Sequence, residues 1–233
     1  MCGRFALTAT PEELQALFGY LDGEPFPPRY NIAPTQPIAV VRQERSARRF
    51  ALVRWGLVPP FVEDPRKFSL LINARSEGIM AKNAFKNAMR YRRCLVPASG
   101  FYEWQKGRGS AGPRAPRQPY WLRPREGGAI AMAGIWETWS DRNGGEIDSG
   151  CIVTTAANDT VAPIHDRMPV VIAETDFDAW LTGDTDAALQ LLKPAPDDLF
   201  EAIPVGNRVN KADNDDPGLL EPVTPMKTDL FDG

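Results

Sequence analysis

The stretch Arg93-Cys94-Leu95-Val96-Pro97-Ala98-Ser99-Gly100-Phe101-Tyr102-Glu103-Trp104-Gln105 decides the fold class. Cys94 to Ala98 and Phe101 to Gln105 are short apolar or aromatic runs bounded by turn residues, and each reads as a strand. The pattern continues through Pro119 to Arg123, Ala129 to Thr138 and Gly150 to Thr155. Together these segments predict a mainly antiparallel sheet, curled toward a barrel. Upstream, Pro11 to Phe18 reads as a short helix opened by Thr10 as N-cap with Pro11 at the first helical position. Ile38 to Arg42 and Phe50 to Trp55 read as two strands joined by a polar hairpin, preceded by an irregular, turn-forming segment from Tyr30 to Pro37. Ala81 to Arg92 has Phe85 and Met89 spaced for one face of an amphipathic helix, and Asp176 to Leu192 supplies two short helices.

The expected class is therefore α+β, with the curled or barrel-like sheet flanked by short helices. The 233 residues are long enough for one large domain with a sizeable core, and residues 1–233 are read as a single domain with a loosely packed acidic tail from about residue 213. With 22 Pro and 19 Gly the chain is rich in turns, which argues against a helical bundle. Gln105 to Gln118, full of Gly, Pro, Arg and Lys, reads as a mobile hairpin tip.

No basic segment followed by an apolar core opens the chain, and no apolar stretch approaches the roughly 20 residues that cross a bilayer. The expected location is cytoplasmic, and nucleoid-associated when bound to DNA. Three widely spaced cysteines, Cys2, Cys94 and Cys151, support neither a disulfide framework nor a CxxC zinc site, and the single histidine, His165, rules out a His-rich metal centre. No metal or cofactor is expected.

The net charge of −3 is unevenly spread. Residues 174–233 hold 14 acidic and 4 basic side chains, a local balance of −10 that leaves +7 on residues 1–173. Between residues 66 and 93, eight basic groups (Arg66, Lys67, Arg75, Lys82, Lys86, Arg90, Arg92, Arg93) face Glu77 alone. Such a run is either a phosphate-facing patch or a solvated helix face.

The chain opens Met1-Cys2-Gly3-Arg4-Phe5. Loss of the initiator methionine would leave an N-terminal cysteine whose amine and thiol sit on adjacent carbons, a 1,2-aminothiol. The amine condenses with an aldehyde to an imine, and the thiol then closes a five-membered thiazolidine on the same carbon. Free α-amines titrate near 7.7–8.0 and thiols near 8.5, so acid/base groups must assist at neutral pH. Three polar residues in apolar or turn-bounded surroundings are candidates. Asn73 ends the apolar run Leu70-Leu71-Ile72. Glu103 is flanked by three aromatics that would desolvate it and raise its pKa. His165 lies in a loop before the strand Val170 to Ala173. Each has a structural alternative, as a cap, an arginine partner or a surface histidine, but together with Cys2 they form a kit for imine chemistry.

Seven collinear segments carry a resemblance: Cys2-Gly3-Arg4-Phe5, Tyr30-Asn31-Ile32-Ala33-Pro34-Thr35, Trp55-Gly56-Leu57-Val58-Pro59, Ile72-Asn73-Ala74-Arg75-Ser76-Glu77, Arg93 to Trp104, Val153-Thr154-Thr155-Ala156-Ala157 and His165-Asp166-Arg167-Met168-Pro169. From residue 2 to about residue 223 the chain resembles the SOS-response-associated peptidase family, abasic-site processing proteins that form DNA–protein crosslinks. The resemblance implies that Cys2, after autocatalytic loss of Met1, crosslinks to the aldehyde of an abasic site in single-stranded DNA, with some lyase activity where ring closure fails. It further implies that Asn73 holds Cys2, Glu103 shuttles protons, and His165 opens the sugar and assists reversal. Arg4, Arg75 and Arg167 match arginines that grip phosphates, and Thr154 matches a polar contact to the same backbone. Asn31 to Pro34 and the apolar tip Pro60-Phe61-Val62 would splay the strand at the lesion. The expected state is a monomer. Two other readings of the residues remain open: an N-terminal-nucleophile amidohydrolase acting on a small amide, and a non-covalent single-stranded DNA-binding module.

Overall fold

The computed structural model describes residues 2–22, 26–105 and 117–225. In chain order the strands are β1 (Phe5–Leu7), β2 (Arg29–Ile32), β3 (Pro37–Glu44), β4 (Ala47–Trp55), β5 (Asn73–Arg75), β6 (Arg93–Ala98), β7 (Gly100–Gln105), β8 (Gln118–Pro124), β9 (Ile130–Ser140), β10 (Glu146–Ala156), β11 (Arg167–Pro169), β12 (Val171–Ile172) and β13 (Phe200–Pro204). The helices are α1 (Pro11–Phe18), α2 (Lys86–Tyr91), α3 (Phe177–Leu181) and α4 (Thr185–Gln190), with 3-10 turns between them.

Five strands close into a ring, β10–β4–β3–β6–β9 and back to β10. An odd ring cannot alternate direction all the way round, so one neighbouring pair must be parallel. That pair is β10 with β4, where Gly150 lies opposite Trp55, while the other four pairings are antiparallel. β4 leaves this edge of β10 after Trp55. β5 takes the vacated edge, also in parallel, with Asn73 opposite Ile152 and Arg75 opposite Thr154. On the other edge β9 gives way to β11, which pairs Thr154 with Pro169 and Ala156 with Arg167. The ring strands are buried on both faces, with Ile38, Val40 and Ile152 on one and Leu95 and Ala133 on the other.

A second, antiparallel sheet has the order β13–β8–β7–β1–β2. The chain passes from the barrel to this sheet within the decisive stretch itself, since only Ser99 separates β6 from β7. Gly100 permits the close passage: a Cβ there would lie 2.5 Å from the Leu122 carbonyl oxygen and 2.7 Å from the Trp121 ring. Ser99 Oγ accepts hydrogen bonds from the main-chain N–H of Thr8 (2.9 Å) and Ala9 (3.3 Å), fastening the corner to the end of β1. Phe5 packs edge-on against Trp55 at 5.2 Å between ring centroids, joining the two sheets beside the start of the chain.

α1 has the Thr10 N-cap read from sequence, completed as a capping box, with Thr10 Oγ1 accepting from Glu13 N–H and the Glu13 carboxylate accepting from Thr10 N–H. Three expectations are corrected. The helix expected over Ala81 to Arg92 is shorter: a 3-10 turn over Ile79–Ala81 ends, and Phe85 and Lys86 both donate to the Lys82 carbonyl in a turn before α2 begins. Asn83, whose amide competes with helical hydrogen bonds, lies in that turn. Phe85 and Met89 are nonetheless both buried, so the apolar spacing was a true core signal. The irregular segment from Tyr30 contains β2, whose four residues are too few and too polar to show a period. Finally, the tail from residue 213 is docked in its described part, since Asp215 binds Arg29 and the N–H groups of Tyr30 and Asn31, and Leu219 is buried. The expected hairpin tip lies mostly outside the described residues, as does the chain after residue 225.

Candidate functional site

The site forms where β5, β10 and β11 at one end of the barrel meet β1 and β7 of the second sheet. Cys2, just before β1, is fully buried. The side-chain amide of Asn73 at the start of β5 donates to its main-chain carbonyl at 2.9 Å. Asn73 thus begins a strand; the apolar run before it is a loop pinned by a bridge between Leu57 and Leu71 and by the Ile72 carbonyl, which accepts from Ile152 N–H and Trp55 Nε1. Burial, and after it the nearby Glu103 carboxylate, pushes the Cys2 thiol well above its usual range. A thiol held protonated needs a base to become nucleophilic.

Glu103 is the titratable side chain whose charge acts on this thiol. It lies in β7 with 2% exposure, and burial pushes its carboxyl up to about 7. Its Oε2 lies 3.9 Å from His165 Nε2. His165 Nδ1 accepts the Arg167 main-chain N–H at 2.9 Å, which leaves the proton of the neutral ring on Nε2, the edge facing Glu103. Asp166 Oδ1 lies 3.1 Å from Nδ1. A carboxyl poised near neutrality beside an imidazole can both give and take protons around Cys2.

A second group of residues shares one face of the barrel end. Residues two apart on a strand share a face, and register partners do too. The pairings Arg75 with Thr154 and Thr154 with Pro169 therefore place Asn73, Arg75, Thr154 and Arg167 on the same side. Asn73 Oδ1, Thr154 Oγ1 and Arg167 Nε on this face are buried and have no hydrogen-bond partner within the described residues. Native folds rarely leave such groups unsatisfied, so this face has unused capacity to bind polar groups. Arg75 is exposed. Arg167 is not free: Nη1 and Nη2 hold the two Glu77 oxygens at 2.7 and 2.8 Å, and Nη2 also donates to the Thr154 carbonyl at 2.8 Å. The pairing lowers the Glu77 carboxyl to about 2.

Other expected site residues are placed elsewhere or engaged internally. Asn31 is fully buried, its Nδ2 donates to the carbonyls of Val209, Lys211 and Asn214, and its Oδ1 accepts from Arg4 at 3.0 Å. The hydrogen bonds of this side chain are thus made within the protein. Arg4 Nη1 also donates to the Val209 carbonyl at 2.7 Å and Nη2 to Asn210 at 3.3 Å, so its guanidinium braces the segment behind the site. Pro34 is half-buried in a tight turn in which Gln36 N–H returns to the Ala33 carbonyl, and Thr35 adopts φ 75°. Phe61 is 60% exposed and meets Phe68 edge-on, an apolar tip standing clear of the surface.

The basic run is only partly outward. The Arg93 guanidinium is buried against the carbonyls of Met89, Arg90, Trp180 and Gly183, and Arg92 pairs with Glu137 at 3.2 Å. Sequence reasoning missed the partnership of Glu77 with Arg167; its only trace was Glu77 standing as the sole acid in that run. It also missed Asp215, which had no signal beyond the acidic tail. Among the described residues no cluster of His, Cys, Asp and Glu could hold a metal ion, and no helix is long and apolar enough to cross a membrane.

The first residues of the chain are thus a buried thiol tethered by an amide, with a carboxyl raised to about 7 beside it and an imidazole 3.9 Å from that carboxyl. Residues 1–212 match the family described as SOS response associated peptidase (SRAP), and the chain belongs to that family. It is 33% identical over 227 residues to the abasic site processing protein YoqW of Bacillus subtilis, covering 95% of this chain and 99% of that one. It is 30% identical to the abasic site processing protein YedK of Escherichia coli, covering 96% of this chain and 100% of that one. A crystal structure of a Bacteroides thetaiotaomicron protein shares the fold, with a TM-score of 0.83 at 23% identity, covering 96% of this chain and all of that one.

Proposed function

We propose that the chain captures abasic sites in single-stranded DNA as a covalent adduct of Cys2, acting as a monomer in the cytoplasm and on the nucleoid. The observation that carries this reading is the convergence of Asn73, Glu103 and His165 on the first residues of the chain. The likeness to proteins named for abasic-site processing supports it.

Priming is hydrolysis of the Met1–Cys2 peptide bond: water adds to the Met1 carbonyl, Glu103 relays the proton to the departing nitrogen, and methionine leaves. The amine of Cys2 then attacks C1′ of the ring-opened sugar, His165 assisting the opening. The carbinolamine loses water to give an imine, and the thiol adds to the same carbon while its proton passes, through Glu103, to the nitrogen. The product is a thiazolidine, and the condensation of aldehyde with aminothiol releases one water. An imine that persisted would permit β-elimination and strand cleavage, so rapid closure by the neighbouring sulfur protects the strand and leaves lyase activity residual. Arg75, Arg167 and Thr154 hold the flanking phosphates, and the Phe61 tip occupies space at the base-free position.

The test mixes mature protein with an oligonucleotide whose single uracil has been excised, followed by denaturing electrophoresis. A denaturant-resistant shifted band is expected. Its absence overturns the reading, while retention of DNA only under native conditions would favour a non-covalent binding module, and turnover of a small amide without DNA dependence would favour an amidohydrolase.

A further inference from the structure

Glu77 is the one acid in the basic run and takes no part in the chemistry above, yet it is held by the guanidinium that the proposed function assigns to a phosphate. The geometry of that pair is one-sided. Arg167 is 12% exposed and Glu77 is 59% exposed, so the carboxylate lies between the arginine and solvent. Of the arginine's donor edges, Nε is buried, and Nη2 also turns inward to the Thr154 carbonyl. The outward edge is the one carrying Nη1 and Nη2, and Glu77 fills it with both oxygens. Arg167 does not need Glu77 to stay in place, because burial and the Thr154 carbonyl already fix it.

We propose that Glu77 is a specificity-determining residue, a carboxylate occupying the place of a phosphate at Arg167 that a DNA strand must displace before it is fully gripped. The inference rests on the proposed function. Its chemical consequence is a threshold. A lone phosphate or a short, weakly held strand must trade one anion for another at Arg167 and gains little, whereas a strand also held through Arg75 and placed against Cys2 can displace the carboxylate. Intact single strands, which have no aldehyde to react, are thereby released more readily. Glu77 stays ionised at all ordinary pH values, since Arg167 holds its carboxyl near 2, so the barrier is lifted by a competing anion and not by protonation. On displacement the carboxylate swings into solvent, where its exposure leaves it room.

The experiment measures binding of a labelled, base-intact single-stranded oligonucleotide by fluorescence anisotropy, from low to moderate salt, so that no covalent step enters. Relative to the unaltered chain, Glu77→Gln is expected to tighten binding at low salt about threefold to tenfold. It should also steepen the log–log salt dependence by about 0.7, the contribution of one additional phosphate neutralised on a single strand. Glu77→Gln in an Arg167→Gln background separates this from a general charge effect, and the gain should largely vanish there. Unchanged or weaker binding by Glu77→Gln overturns the inference, as does an equal gain in the Arg167→Gln background. Thermal unfolding of each variant confirms that folded protein is compared. Failure of the unaltered chain and both variants alike to bind single strands would instead overturn the proposed function.

Discussion

The side-chain amide of Asn73 and the main-chain carbonyl of Cys2 meet at 2.9 Å, a contact between residues 71 positions apart that ties the first residues of the chain to the barrel. Asn73→Ala removes the tether without touching any group that forms or breaks a bond. Misplacement of a reacting group is costly, so crosslink formation is expected to slow by about 10- to 100-fold while stability falls by only about 1 kcal/mol. The time course of the denaturant-resistant band, set beside a melting curve, checks both. A rate equal to that of the unaltered chain would remove Asn73 from the site.

Cys2→Ser keeps the amine and loses the sulfur. It is expected to give an imine trapped by borohydride but lost on heating, together with increased strand cleavage. A heat-stable adduct from this variant without reductant would show that the sulfur is dispensable.

Glu103 couples chemistry to pH. Its folded-state value of about 7 lies above the roughly 4.3 of an unfolded glutamate, so the fold prefers the protonated form. The stability this provides is complete below the unfolded value and is lost as pH rises through about 7, after which the curve flattens. Glu103→Gln should remove that decline and gain on the order of 2–3 kcal/mol at pH 8 relative to the unaltered chain. The same substitution should cost crosslinking about 10²-fold or more, and in the unaltered chain the rate should rise with an inflection near pH 7. Denaturant titrations at pH 5 and 8, and rates across the same interval, provide the measurement.

Asn31 distinguishes brace from contact. Asn31→Ala removes a buried amide bonded to Arg4 and three carbonyls, and a loss of about 2–4 kcal/mol is expected. A melting temperature unchanged by this substitution would restore a surface role to the residue.

The barrel strands were legible because each is long enough to show a period or a bounded apolar run, as in Ile38 to Arg42 and Cys94 to Ala98. β2, β5 and β11 were not, since three or four residues that include Asn31, Asn73 and Arg167 carry no periodic signal; their geometry comes from neighbours in the sheet. The residues around the chain start stood out for other reasons. Asn73, Glu103 and His165 are polar residues in apolar or turn-bounded company, Cys2 stood out by its place after Met1, and burial of Glu103 to 2% exposure follows from the aromatic sequence around it. What a single sequence conceals is pairing at a distance. Arg4 and Arg167 look alike as cations, and only the fold shows one bound to carbonyls near residue 209 and the other to Glu77.

The lacing of Arg4 to Val209 and Asn210, and of Arg29 and Asn31 to residues from 209 to 215, couples two distant stretches of the chain. The residues beside Cys2 gain their brace only when the segment near residue 209 has folded against them, because the carbonyl that Arg4 grips lies 205 positions further along. Truncation before that segment would therefore loosen the neighbourhood of Cys2 while leaving the ring of barrel strands intact.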